Sequence, residues 1–252
     1  MKALKNFIAV IKFMAAMIGT VGLLRRTQKY AKNGNKVECD RTIKAATKWW
    51  SDKIFSLLET TVEVVGSENV PKDTAALFVC NHQGATDIPL ILGYVDKPIA
   101  FIAKIELKKA PILSSWMELM QCTFIDRKSH QQSIKAMESA VEKLKNGYSQ
   151  LVFPEGTRSH GGPIKEFKSG SFKLAFRAEV PVVPVTIDGT WKVLDKTHKF
   201  SGVRVKLTIH PPIETKGLAK EELQKIPKKA QDIISAALPE EHLNQAYIQK
   251  QQ

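Results

Sequence analysis

Cysteine is scarce. Only Cys39, Cys80 and Cys122 occur, with no CxxC pair and no disulfide framework, which excludes a disulfide-rich secreted domain and suits a reducing compartment. There is no G-x-S-x-G elbow, no H-E-x-x-H and no P-loop, so serine-hydrolase, zinc-protease and NTPase chemistries lack their signatures. The six histidines are scattered without the spacing of metal ligands. Internal repeats and low-complexity linkers are absent as well. Acids are sparse at the amino end, where residues 1–53 hold 12 Lys/Arg against three acids. That stretch carries +9 of a net charge of +13, while the other 199 residues are nearly balanced. A basic arm on a balanced domain points to a membrane surface or a nucleic acid. With 43% hydrophobic residues over 252 positions the chain buries a real core, which excludes a mainly disordered protein and favours one main domain.

From Phe7 to Leu24 the chain is apolar except for Lys12, Thr20 and two glycines. As a helix these 18 residues reach ~27 Å, just short of a ~30 Å hydrocarbon core. Arg25, Arg26, Lys29, Lys32 and Lys36 follow directly, where a cleaved signal peptide would have small residues, so cleavage is not expected. Lys12 would cost a few kcal/mol at a bilayer centre, which leaves spanning and lying on the membrane both open. A second helical pattern has Ile43, Ala46, Trp49, Trp50, Ile54, Leu57 and Leu58 on one side and Arg41, Lys44, Lys48 and Lys53 on the other. Tryptophan beside lysine suits the headgroup boundary. The same pattern also fits a helical hairpin packed on the domain with the tryptophans in its core. A nucleic-acid arm is disfavoured, because the basic residues flank long apolar runs.

Beyond Gly66, β-rich runs alternate with helical periods. Val62–Val65, Ala75–Cys80, Cys122–Ile125, Gln150–Phe153, Val180–Ile187 and Val203–Ile209 read as strands. Asp87–Gly93 opens a helix with Pro89 in its first turn. Ile134, Met137, Val141 and Leu144 keep helical spacing up to a stop at Gly147, and Phe172–Phe176 is helical. Leu218–Leu238 is amphipathic with a break at Pro227, and Ser159–Pro163 reads as a mobile loop. This alternation predicts an α/β fold with a mixed central sheet flanked by helices. The expected partition is a two-helix membrane-association element over 1–60, the α/β domain over 61–238 and a polar tail over 239–252.

Two segments could do chemistry. Asn81-His82-Gln83-Gly84-Ala85-Thr86-Asp87 lies where a buried strand gives way to a helix, and active groups gather at such strand ends. A tight turn there lets Asp87 accept the proton of one imidazole nitrogen of His82, leaving the other as a base. Taken alone, the motif favours a structural, hydrogen-bonded His82. Phe153-Pro154-Glu155-Gly156-Thr157-Arg158-Ser159 again follows a strand. Gly156 permits a turn with exposed N–H groups, and Arg158 offers a planar fork for a phosphate. Glu155 would accept from a glycerol or sugar hydroxyl, or hold Arg158. An ordinary turn with a surface ion pair is the plainer alternative. Strand periodicity puts Cys80 on the same side as His82, as an inert core thiol or, less readily, an acyl-accepting nucleophile.

Taken together these segments resemble the glycerolipid acyltransferase family, specifically its bacterial 1-acyl-sn-glycerol-3-phosphate acyltransferases. Four blocks occur in order: Asn81-His82 through Asp87, Phe124-Ile125-Asp126-Arg127, Phe153 through Ser159, and Val180-Pro181-Val182-Val183-Pro184. Phe167-Lys168-Ser169-Gly170 is similar to the segment leading into the fourth block. Gly84 departs from the pattern, since many members have serine there, which bears on the acceptor pocket. The resemblance covers roughly residues 60–212 and implies that His82 is a general base oriented by Asp87. It takes the proton of the sn-2 hydroxyl of a lysophosphatidate, and that oxygen attacks an acyl thioester on coenzyme A or acyl carrier protein. Glu155, Gly156, Thr157 and Arg158 would lie with the acceptor, and Lys104 and Arg127 would add phosphate contacts. Transfer would be direct, with no cofactor, metal or acyl-enzyme, and no nucleic-acid partner. The resemblance further implies association with an anionic membrane surface on the cytoplasmic side of the inner membrane. The alternatives are acylation of glycerol 3-phosphate or another lysolipid, and a non-catalytic lipid-binding protein of the same fold.

Overall fold

The computed structural model describes residues 15–126, 129–193 and 202–243. Residues 15–19 are helical, followed by α1 (Val21–Lys32) and α2 (Lys36–Leu57). Then come β1 (Thr60–Val65), β2 (Leu77–Cys80), α3 (Asp87–Tyr94), β3 (Ile99–Lys104), α4 (Pro111–Leu119), β4 (Thr123–Ile125) and α5 (His130–Lys145). The chain continues through β5 (Ser149–Val152), α6 (Lys173–Ala178), β6 (Val182–Asp188), α7 (Thr190–Val193), β7 (Val203–Ile209), α8 (Lys220–Leu223) and α9 (Ile226–Ala236).

The seven strands form one mixed sheet in the order β1-β7-β6-β2-β5-β3-β4, with every pairing parallel except β6 with β7. β2 and β5 are buried at every residue and β6 at all but Asp188, as expected of parallel strands covered on both faces. β7 alternates buried and exposed positions, as its sequence pattern indicates. One face of the sheet packs Ala140, Val141 and Leu144 of α5, Leu174 and Ala175 of α6, and Ala230 and Ile234 of α9. The other packs Phe55 of α2 with Leu90 and Ile91 of α3. Trp116 and Met117 of α4 join the α1–α2 hairpin in an adjoining cluster.

The hairpin turns at Asn33-Gly34-Asn35, where Gly34 has φ +68 and the Asn35 side chain accepts from the Glu38 amide at 3.1 Å. Phe7–Met14, the apolar start of the amino-terminal segment, lies outside the described residues. α2 is packed onto the domain. Ile43, Ala46, Trp50 and Ile54 are core, and Ser51 Oγ donates to the Pro89 carbonyl at 2.7 Å, against Gly93, where a Cβ would come within 2.3 Å of the Ser51 Cβ. The paired tryptophans divide accordingly. Trp50 is buried, as in the packed-hairpin alternative, and Trp49 is 38% exposed. Among the described residues no helix is long and apolar enough to cross a membrane.

Three elements are additions to the sequence reading, β3, α4 and the single turn α7. The carboxyl-terminal helix is divided into α8 and α9, with Pro227 in the first turn of α9, where its missing N–H removes no helical bond. The loop at 159–163, expected to be mobile, is tied to the His82 turn by backbone hydrogen bonds from Ser159 and His160, and the Gly162 amide closes a turn on the Ser159 carbonyl within it.

Candidate active site

β2, β3, β4, β5 and β6 point their carboxyl ends to one edge, with β1 and β7 running the other way, so the turns after β2, β5 and β6 meet there. β2 leads into Asn81, whose side chain clamps the β6 backbone. Its Nδ2 donates to the Ile187 carbonyl and its Oδ1 accepts from the Ile187 amide, both at 2.8 Å. The chain then turns tightly into α3. His82 Nδ1 donates to Asp87 Oδ2 at 2.6 Å, with Asp87 fully buried and the imidazole 17% exposed. The same oxygen accepts from the amides of Gln83 at 2.7 Å and Gly84 at 3.0 Å, while Oδ1 accepts from the Thr190 hydroxyl at 2.5 Å. Asp87 is also the first residue of α3, where the helix dipole favours a negative charge. Phe153 stacks on the imidazole at 4.0 Å between centroids and 17° between planes, which fixes the ring against rotation.

Glu155, expected at the acceptor or on Arg158, has both oxygens on backbone amides instead. Oε1 accepts from His82 at 2.7 Å and Oε2 from Lys165 at 2.9 Å. Burial pushes its carboxyl above the ordinary range, and these two amide bonds pull it back. It acts as a brace between the two turns. Two further bonds join them, from the Ser159 amide to the His82 carbonyl at 2.8 Å and from His160 to Gln83 at 3.2 Å.

Gly156, Thr157 and Arg158 are exposed beyond this brace, and Lys104 is exposed at the end of β3. Gly156 has φ +73, and a Cβ there would lie 2.9 Å from Lys168 Nζ, which places that ammonium over the turn. Arg127 lies outside the described residues. Gly84 packs against Thr190, whose carbonyl would be 3.2 Å from an added Cβ, so this position faces backbone. Cys80 is fully buried among Phe78, Leu90 and Val185, and burial holds its thiol far above the usual range, which removes it as a nucleophile. Among the described residues no cluster of three or more His, Cys, Asp and Glu is arranged to hold a metal.

An apolar pocket between the hairpin, α3 and α4 is lined by Met17, Trp50, Leu92, Phe101, Trp116 and Ile88, the residue after Asp87. A roomier polar groove between the helical hairpin and α4 contains none of the motif residues. Sequence reasoning missed Thr190 and the roles of Asn81 and Phe153. It quoted Lys168 within a motif but gave it no place in the site.

Residues 61–188 match the family model for acyltransferases, half of the chain. The chain belongs to the acyltransferase family. A Mycoplasma pneumoniae protein named probable 1-acyl-sn-glycerol-3-phosphate acyltransferase is 40% identical over 58% of this chain and 56% of its own length. The 1-acyl-sn-glycerol-3-phosphate acyltransferase of Borreliella burgdorferi is 34% identical over 68% of this chain and 69% of its own. The crystal structure of the 1-acyl-sn-glycerophosphate (LPA) acyltransferase PlsC from Thermotoga maritima superposes with a TM-score of 0.73 at 33% identity, covering 93% of this chain and 95% of that one. These relatives are O-acyltransferases by name, and the mixed α/β sheet is shared with the Thermotoga structure.

The Thr190 hydroxyl gives the buried Asp87 one of its four donors, so its loss leaves a charged acceptor short of a partner. Thr190→Val is expected to lower unfolding stability by about 1.5–3 kcal/mol, whereas Thr190→Ser, which keeps the hydroxyl, should lose no more than about 1 kcal/mol. Urea denaturation of the protein and its two variants measures the difference, and equal losses would contradict it.

Proposed function

We propose that this protein transfers a fatty acyl group from an acyl thioester to the sn-2 hydroxyl of 1-acyl-sn-glycerol 3-phosphate, giving phosphatidic acid. The observation that carries the reading is the 2.6 Å bond between His82 Nδ1 and Asp87. It keeps the proton on Nδ1 and leaves Nε2 with a free lone pair on a ring that is partly open to solvent. An alcohol is a poor nucleophile at neutral pH and needs a base acting as it attacks. Nε2 takes the sn-2 hydroxyl proton while the oxygen bonds to the thioester carbonyl carbon. The tetrahedral intermediate expels the thiolate as its C–S bond breaks, and the imidazolium returns the proton to sulfur. Asp87 faces the imidazolium throughout and stabilises its charge. The step balances without a metal or cofactor, and Cys80, being sealed in the core, has no part in it.

Arg158, Lys104 and Lys168 supply cations for the acceptor's phosphate, with Arg127 assigned the same role by its motif alone. Gly156 and Thr157 carry the exposed backbone beside Arg158. Glu155 serves the substrate indirectly, by holding the His82 turn to the Arg158 loop. The apolar pocket beginning at Ile88 suits a hydrocarbon chain. The thioester donor is carried on coenzyme A or acyl carrier protein.

A lipid acceptor calls for an enzyme on the bilayer, and the hairpin has the surface for it. Ile18 is 59% exposed next to Trp49, whose ring packs over Gly19, and Arg25, Arg26, Lys29 and Lys32 are exposed along α1. Anionic headgroups would attract each of these at about 1 kcal/mol. We assign the hairpin to docking on the cytoplasmic face of the membrane.

The test is an assay of purified protein with labelled acyl thioesters against lysophosphatidate, glycerol 3-phosphate and monoacylglycerol. Lysophosphatidate is expected to be preferred, and His82→Ala, folded by circular dichroism, is expected to lose about 10²–10⁴-fold in rate. Undiminished turnover in that variant, or preference for the acceptor without phosphate, contradicts the reading. For docking, truncation is unsuitable because Trp50 and Ile54 are core. Ile18→Asp combined with Trp49→Glu should instead reduce sedimentation with phosphatidylglycerol vesicles several-fold, and unchanged sedimentation would move the docking surface elsewhere.

A further inference from the structure

The loop that carries Arg158 is held on two sides by groups of different origin. On the inner side its Ser159 and His160 amides donate to the carbonyls of His82 and Gln83. On the outer side stands His242, more than 80 positions along the chain and only 2% exposed. Its Nδ1 donates to the Gly161 carbonyl at 3.0 Å, and its own carbonyl accepts from the Ile164 amide at 2.9 Å. The imidazole Nε2 lies 3.5 Å from Asp188 Oδ1 and from Glu241 Oε1. Asp188 ends β6 two residues before Thr190, the donor to Asp87, so His242 stands between the Arg158 loop and the segment that supports the base.

The loop needs such a tie. His160 has φ +53 and Gly161 φ +84, two successive left-handed residues, and for a residue with a Cβ that region costs of order 1 kcal/mol or more. Gly161 is pressed on Trp191, whose ring would lie 2.5 Å from an added Cβ, and the Trp191 ring meets His242 edge-to-face with centroids 6.0 Å apart. A conformation of this kind persists only when its surroundings over-determine it. Here the surroundings are Trp191 beneath and the His242 side chain at the outer edge.

We propose that His242 is a positioning residue for the acceptor's anionic group, acting through the Gly161 carbonyl to hold the Thr157-Arg158-Ser159 segment where Arg158 meets the phosphate. The inference rests on the reading of Arg158 as a phosphate ligand, and it gives the carboxyl-terminal turn Glu240–His242 a part in acceptor affinity. Because His242 touches neither His82 nor the reacting atoms, its contribution belongs in substrate binding and leaves the chemical step alone.

The experiment compares full-length wild type with His242→Ala, His242→Asn and His242→Gln. Asparagine keeps an N–H donor near the position of Nδ1, and glutamine moves it out toward Nε2. Loss of one hydrogen bond predicts that His242→Ala raises KM for lysophosphatidate up to about tenfold, with kcat within about twofold and the thioester KM unchanged. Hydrogen exchange of the peptide covering residues 157–164 should quicken in parallel. His242→Asn should stay near wild type in both readouts, and His242→Gln should follow alanine. An unchanged acceptor KM in His242→Ala, unchanged loop exchange, a fall in kcat alone, or Asn and Gln variants that behave alike would each overturn the proposal. Should the wild type acylate no lysolipid at all, the functional reading fails on its own, and the exchange measurement still decides whether His242 holds the loop.

Discussion

A carboxylate with no exposed surface carries a desolvation cost of several kcal/mol, and Asp87 offsets it with four donors. One is the His82 imidazole, two are amides of the turn that joins them, and the fourth is the Thr190 hydroxyl beyond β6. Two neighbouring strands must therefore end at the right height for this one group to be satisfied. The clamp of Asn81 on Ile187 sets that height, because it extends the β2–β6 pairing one residue past the ladder. The reactive geometry is thus a consequence of sheet register, and the helix dipole of α3 adds to it where the carboxylate stands.

The third strand enters through Glu155. Burial pushes its carboxyl up, yet its two oxygens join the His82 amide to the Lys165 amide on the far side of the loop. The His82 turn and the loop of Arg158 are in this way parts of one hydrogen-bonded unit. The cations stay at its surface, where they are hydrated until an anion arrives, and the apolar pocket opens beside Ile88 on α3.

How much of this was legible in the sequence depended on distance along the chain. His82 and Asp87 are five positions apart, and a turn between a strand and a helix is a local event, so their pairing could be reasoned from the motif. The buried strands were readable because β2 and β6 are largely apolar on both faces and β5 runs through Leu151 and Val152 into Phe153. β3 ends in lysine and runs into a short turn of Ile105–Lys109, and α4 is only nine residues long, so neither left a sustained period. Glu155 was read as a ligand because its motif resembled one. An acceptor for backbone amides leaves no trace in side-chain patterning. Thr190 and His242 act from 103 and 81 residues away on their partners, and no spacing rule reaches that far. Trp49 and Trp50 are adjacent, so about 100° of helix separates them and only one could face the core. The pattern could not say which.

The central claim is that Asp87 fixes the proton of His82 on Nδ1 and leaves Nε2 as the base. Nitrogen-15 NMR of the imidazole rings, with His82 assigned by its loss in His82→Gln, reads the tautomer directly. The account predicts, at neutral pH, a protonated Nδ1 and an Nε2 that bears no proton, with this preference lost in Asp87→Asn. A His82 ring that carries its proton on Nε2 in the wild-type protein would contradict it.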